Sequence, residues 1–275
     1  MLALRGELYV LGGFDDEERI VSVVEAYDPA TDTWRRAADL PTALHHANAA
    51  VVDDRLFVLG FLTDRSFSAD GRVFVYDPDL DAWGEGRSLP PFTERGGSGV
   101  AVVDDRVYVV GGYRGGAVTD VSRYDPATDA WEVLPSLPVA ADHLVAGAVL
   151  GVVYAVGGRS GGIGGHRPAV WAFHPDAGGW IERASMPTSR AGAAATTAGG
   201  LVYVFGGEGN RDDESGVFAQ AEAYDPDSDT WERLAPMPTP QHGMGAATID
   251  GIVYVPGGGD LEGFAAVDTH EAYLP

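Results

Sequence analysis

The 275-residue chain contains no cysteine and no lysine; all 18 of its basic residues are arginine. Without cysteine there is no disulfide, no thiolate metal site and no clue to redox compartment. Against 41 acidic residues the formal net charge is -23. A surface so short of cations is poorly made for a phosphate backbone, so nucleic acid is not an expected partner. No apolar run approaches the roughly 20 residues of a membrane span. The start, Met1 to Gly13, lacks the charged, long apolar and small-residue succession of a secretory leader. The expectation is a soluble protein, cytoplasmic or secreted, with the compartment left open. Abundant Ala, Gly, Asp and Arg without Lys further suggests a GC-rich prokaryotic gene. Sustained helical periodicity is missing as well.

What is present is a repeat. Glycine pairs follow apolar runs at Gly12-Gly13, Gly111-Gly112, Gly157-Gly158, Gly206-Gly207 and Gly257-Gly258, and Gly60-Phe61 fills the remaining place. Their first glycines are 48, 51, 46, 49 and 51 residues apart. Between them an aromatic, a tryptophan and a proline recur at intervals of seven: Tyr27-Trp34-Pro41, Tyr76-Trp83-Pro90, Tyr124-Trp131-Pro138, Phe173-Trp180-Pro187 and Tyr224-Trp231-Pro238. Each unit reads as four short Val- and Tyr-rich strands bounded by Gly, Pro and Asp turns. In the third, Asp104-Asp105 turns a hairpin, and Pro126 presets a tight turn whose amides an Asp can bind.

This pattern resembles the kelch repeat, whose period is about 50 residues, and the resemblance covers nearly the whole chain. It implies an all-β, six-bladed β-propeller filling residues 1–275 as one domain, with blades near 1–41, 42–90, 91–138, 139–187, 188–238 and 239–275. By the resemblance, the glycine pair ends a blade's second strand, the tyrosine lies on its third and the tryptophan on its fourth. Large aromatics then supply packing area between blades, which makes them structural, not catalytic. The last unit stops just after Tyr273 without its tryptophan strand, and neither end carries a spare one. The sixth blade is therefore expected to have three strands, leaving an outer edge open to pairing.

Function in such wheels sits on loops at one face around the channel. The inter-blade links place His45, His46, Arg95, His143, Arg190, Gln241 and His242 just before the inner strands. Such donors suit an anionic or polyhydroxylated ligand, arginine binding a carboxylate as a fork. The loops between second and third strands add Tyr113, Arg114, Arg159, His166, Glu208, Asn210 and Arg211. A metal is not expected, because the histidines come from different blades and the adjacent His45 and His46 would point apart in an extended segment. The Gly-rich stretch around Ile163 lacks the lysine and helix of a phosphate loop, and Asp212-Asp213-Glu214 lacks the spaced ligands of a calcium loop. No cofactor is implied.

The leading expectation is a noncatalytic scaffold that recognises a protein segment or a carbohydrate. The alternative is an enzyme resembling kelch-type sialic acid mutarotases, with His143, His242, Arg95, Arg190 and Glu208 as candidates. The eukaryotic adaptor members of the family carry extra helical domains for which this chain has no room. A galactose-oxidase-like centre needs a cysteine, and the iron motif of plant specifier proteins has no counterpart.

Overall fold

The computed structural model describes all 275 residues. It holds six antiparallel sheets arranged as blades. The first comprises β1 (Leu2–Leu4), β2 (Glu7–Leu11), β3 (Val24–Asp28) and β4 (Thr33–Arg36); the second β5 (Ala49–Val52), β6 (Arg55–Leu62), β7 (Ala69–Asp77) and β8 (Ala82–Gly86). Blade 3 takes β9 (Gly99–Val103), β10 (Arg106–Val110), β11 (Val121–Asp125) and β12 (Ala130–Val133); blade 4 takes β13 (Val145–Val149), β14 (Val152–Val156), β15 (Val170–His174) and β16 (Gly179–Arg183). Blade 5 has β17 (Ala194–Ala198), β18 (Leu201–Phe205), β19 (Ala221–Asp225) and β20 (Thr230–Arg233). Blade 6 has three strands, β21 (Ala247–Ile249), β22 (Ile252–Pro256) and β23 (His270–Tyr273). The inner strands β1, β5, β9, β13, β17 and β21 neighbour one another in that order and close back on β1.

Local sequence explains the hairpins. Each inner pair of strands turns on two residues with positive φ, as at Asp104 (48°) and Asp105 (57°) or Leu150 (49°) and Gly151 (78°). Such a primed turn matches the twist of the strands it joins.

The core lies between blades. Leu4, Tyr9, Val24 and Ala26 of blade 1 pack with Leu56, Val58, Phe61, Phe74 and Tyr76 of blade 2, and similar clusters fill the following gaps. A second-strand aromatic meets a third-strand aromatic of the next blade all the way round: Tyr9–Tyr76, Phe57–Tyr124, Tyr108–Phe173, Tyr154–Tyr224, Tyr203–Tyr273 and Tyr254–Tyr27, with ring centroids 5.6–6.3 Å apart. Pairs of this kind add about 0.5–1.5 kcal/mol each beyond their buried area.

An outer clasp reinforces the layer. The Trp131 indole N–H donates to the Arg87 carbonyl of the preceding blade at 2.8 Å, while the Arg87 amide donates to Asp129 Oδ1, which also accepts the Tyr124 hydroxyl. Blade 2 repeats this through Trp83, Ala38, Asp81 and Tyr76, and blade 5 through Trp231, Ala184, Asp229 and Tyr224. In blade 4 three changes go together. Phe173 lacks the hydroxyl, Gly178 stands where the others have Asp, and Pro135 supplies a carbonyl to Trp180 (3.0 Å) but has no N–H to offer. Losing donor and acceptor together leaves nothing buried without a partner.

The gap between blades 6 and 1 is the thinnest, with Leu8, Tyr27 and Ala247 as its buried centre. There Trp34 is 43% exposed and packs on Tyr27 and His270. Asp32 still accepts the Tyr27 hydroxyl at 2.8 Å. No helix is long and apolar enough to cross a membrane.

Candidate functional site: the loop-face mouth of the channel

Five link residues, His46, Gly97, His143, Gly192 and Gly243, take left-handed φ values of 51°, 60°, 52°, 60° and 68°. Amide-to-carbonyl bonds of 2.8–2.9 Å run between successive members, from Gly97 to His46, His143 to Gly97, Gly192 to His143 and Gly243 to Gly192. The result is a backbone collar stitching blades 2 to 6. Glycine at 97 and 192 suits the collar through its tolerance of positive φ; a Cβ there would make only ordinary contacts, with the His46 and His143 rings at 3.7 Å and with Glu208 at 3.4 Å.

Each link also pairs with the second-to-third-strand loop of its own blade. Asp142 and Arg159 exchange both backbone bonds at 2.9 Å, and His45–Leu62, Gly96–Tyr113, Ala191–Glu208 and His242–Gly259 form corresponding bridges. The two expected loop types therefore share one face. Direct pairing explains the side-chain contacts, because cross-strand partners stand close enough to interact. Arg159 Nε donates to Asp142 Oδ1 at 3.2 Å, its Nη1 donates to Glu208, and its Nη2 lies 3.2 Å from His143 Nε2.

The rings' tautomers follow from their partners. His45 Nε2 faces the Asp64 carbonyl at 3.0 Å and must donate, leaving Nδ1 to accept from His46 Nδ1–H at 2.5 Å. His143 donates from Nδ1 to Asp142 Oδ1 at 2.6 Å, so its Nε2 accepts from Arg159. His242 donates from Nε2 to the Leu261 carbonyl at 2.8 Å, and its Nδ1 is 3.6 Å from Glu208 Oε2. His46 and His143 meet edge to face at 4.7 Å, which joins both halves of the mouth. Burial, then repulsion from His143 and His45, holds the His46 imidazole well below its ordinary pKa; burial also lowers His45 and His166.

Of the residues expected to reach a ligand, His46, His143, Arg159, Glu208 and His242 converge here, with Glu208 and His242 themselves buried at 3% and 9% exposure. His45 lies beneath them, and His45 and His46 do not point apart: the left-handed turn at His46 breaks the extended alternation. Three others are drawn inward. Arg95 is 0% exposed and donates to the Gly111, Thr93 and Val109 carbonyls and to the Ser122 hydroxyl. Arg190, 1% exposed, is held by Glu222 at 2.5 Å and by the Thr188 and Val204 carbonyls. Gln241 is buried and donates to Thr269. All three serve blade-internal polar groups in equivalent places, which is why the sequence repeats them.

Arg114 pairs with Asp120 at 3.1 Å, and Asn210 bonds the Val217 carbonyl inside its own loop. Tyr113 joins the rim, His166 lies against Gly209, and Arg211 is exposed beside Gly164. No group of three or more His, Asp or Glu is placed to hold a metal ion.

Two features were not expected from the sequence. Asp142 is one; its only signal was an acid beside His143. The other is an aromatic rim. Phe14 lies 4.6 Å from His45 and 4.8 Å from Phe264, while Phe67 lies 5.2 Å from His46 and 5.9 Å from Tyr113. Rim residues come from variable loops outside the repeat's fixed spacing, so periodicity could not find them. Thus blades 6 to 3 present rings to the mouth, and blades 4 and 5 present the ionic network.

Comparison with known proteins agrees with this architecture. Residues 1–158 match the KLHDC2/KLHL20/DRC7 Kelch-repeats domain, and residues 189–238 match the Kelch motif. The unmatched stretch between them contains Phe173 and Gly178, two of the three clasp changes associated with blade 4. Among similar proteins, Kelch-like protein terF of Aspergillus terreus is 35% identical over 98% of this chain and 62% of its own length. Human Kelch-like protein 23 is 26% identical over 98% of this chain and 46% of its own length, and human Kelch-like protein 34 is 32% identical over 86% and 38%. The chain therefore spans roughly half the length of these relatives. With five four-stranded blades and one three-stranded blade, the recurring Gly-Gly, Tyr and Trp positions and a Kelch-repeats domain match over more than half its residues, the chain belongs to the kelch-repeat family.

Proposed function

We propose that this chain is a noncatalytic recognition module that holds a segment of another protein across the loop-face mouth. The observation that carries the reading is the joining of an aromatic rim to a polar network at one place, on a backbone collar that fixes both. A rigid scaffold presenting rings and hydrogen-bonding groups lowers the ordering cost of binding. Kinship with kelch-like proteins fits the same reading, since propellers carry their binding loops at one face of a rigid scaffold.

The sugar-acid enzyme reading gains little support. Two of the arginines meant to grip a carboxylate, Arg95 and Arg190, are engaged inside their blades, and Arg159 already faces two carboxylates. Backbone amide NMR titration with peptide pools and with sugars tests the proposal. Expected are shifts clustered at His46, Tyr113, His143, Arg159, Glu208 and His242. Shifts confined to the opposite hairpin turns, such as Asp104-Asp105, would overturn it. Accelerated anomer exchange of N-acetylneuraminic acid would instead favour the enzyme.

A further inference from the structure

Resting on that reading of the mouth, we infer the chemistry of its partner: a basic segment carrying an aromatic or aliphatic anchor.

The sequence alone points toward anions, because arginines and histidines recur in the links. The structure reverses the sign. Arg95 is taken up by carbonyls, Arg190 by Glu222, Arg114 by Asp120 and Arg159 by Asp142 with Glu208. Arg190, Arg114 and Arg159 are each matched by a carboxylate. Arg95, although only neutral oxygens meet it, is fully buried with its donors directed inside the blade, away from an incoming carboxylate. His46 is kept neutral by burial and so does not repel a cation. Asp142 and Glu208 share a single arginine, so this side of the mouth carries excess negative charge.

The surrounding loops add to it. Asp15 to Glu18 follow Phe14 and outnumber the two arginines that pair with them, Arg19 and Arg65; Asp212 to Glu214 follow the lone Arg211, and Asp260 and Glu262 precede Phe264. On a chain of net charge -23 this field steers basic partners toward the mouth.

The rim supplies the anchor. Phe264 is 38% exposed, and Phe14 packs edge to face against it. The protein itself demonstrates the compatible chemistry: the Arg65 guanidinium, held by Glu18 at 2.5 Å, lies 5.4 Å from the centre of the Phe264 ring. A ligand guanidinium or ammonium can use ring faces in the same way, while an apolar side chain rests between Phe14, Phe67 and Tyr113. An extended segment across the mouth then meets the rings and the exposed acids of the loops beside them, over the charge of Asp142 and Glu208, which lie beneath the surface at 4% and 3% exposure.

The test is selection from a random peptide display library on the full chain at low salt. The same selection is repeated on Phe264→Ala and Phe14→Ala, each checked for folding by tryptophan fluorescence. The expected result is enrichment of Arg or Lys next to Trp, Tyr, Phe or Leu, binding at least about tenfold weaker to either variant, and steep loss of binding with salt. Enrichment of Asp or Glu peptides that still depend on Phe14 and Phe264 would overturn the basic-partner inference and leave the mouth as a recognition face. Peptides indifferent to both variants, or no enrichment at all, would overturn both readings.

Discussion

The Arg87 amide of blade 2 donates to the Asp129 carboxylate of blade 3 at 2.6 Å, so a turn residue of one blade closes the backbone of its neighbour. Asp129 also takes the Tyr124 hydroxyl at 2.6 Å, whereas Asp32 takes only that of Tyr27. Asp129→Ala should therefore cost about 1–3 kcal/mol in urea unfolding, and Asp32→Ala about half as much. Equal losses would show that the blade-to-blade bond adds nothing.

Blade 4 offers the converse experiment. Phe173→Tyr alone buries a hydroxyl with no acceptor and should destabilise by roughly 1–3 kcal/mol. Combined with Gly178→Asp and Pro135→Ala, it rebuilds the clasp, and the triple variant should exceed the sum of the single changes by about 1 kcal/mol or more. The φ of Gly178, 66°, is close to the 46–54° adopted by the clasp aspartates at 32, 81, 129 and 229, so the backbone already suits the change. Strict additivity in the mutant cycle would refute the clasp.

Leu150 stands at φ 49° in the blade 4 hairpin and is 88% exposed. A left-handed conformation costs a residue with an ordinary side chain about 1–2 kcal/mol, and Asn adopts it more readily. Leu150→Asn should raise stability by about 0.5–1 kcal/mol, read as a higher melting temperature with no change in fold. A lower melting temperature would mean that Leu150 makes packing contributions that outweigh its backbone strain.

The mouth histidines set a pH dependence. His45, His46 and His166 are held below the ordinary value of 6.5, mainly by burial, so the unfolded chain takes up protons before the folded one does. Stability is thus fully present above about pH 6.5 and falls as pH drops below it. Melting curves between pH 7.5 and 5.5 should show this decline, and His46→Gln should make it shallower. An unchanged slope in the variant would remove His46 from the account. A second decline is expected under stronger acid. Hydrogen bonds from Tyr76 and Ala38 lower Asp81 below 3.8, and bonds from Tyr224 and Ala184 do the same for Asp229. Their contribution is present above 3.8 and is lost as pH falls through the lowered values.

The sequence by itself determined the wheel: six glycine landmarks near a 50-residue period, the Tyr-Trp-Pro ruler, the hairpin turns and the short sixth blade. These are local or repeated constraints, so each blade writes them again and chain order reveals them. It also named part of the mouth, His46, Tyr113, His143, Arg159, Glu208 and His242, yet neither Asp142 nor the phenylalanines of the rim. Arg95, Arg190 and Gln241 read like ligand donors because they recur at one place in the links; folding put that place inside the blade, where carbonyls and Glu222 take up their donors. Only tertiary structure brought Phe14, Phe67 and Phe264 together from three blades, set Arg159 between Asp142 and Glu208, and placed His45 against His46. The reason is physical. Burial and ion pairing depend on which distant loops meet, and the sign of the charge left over at the mouth is a sum over those meetings that no single segment contains.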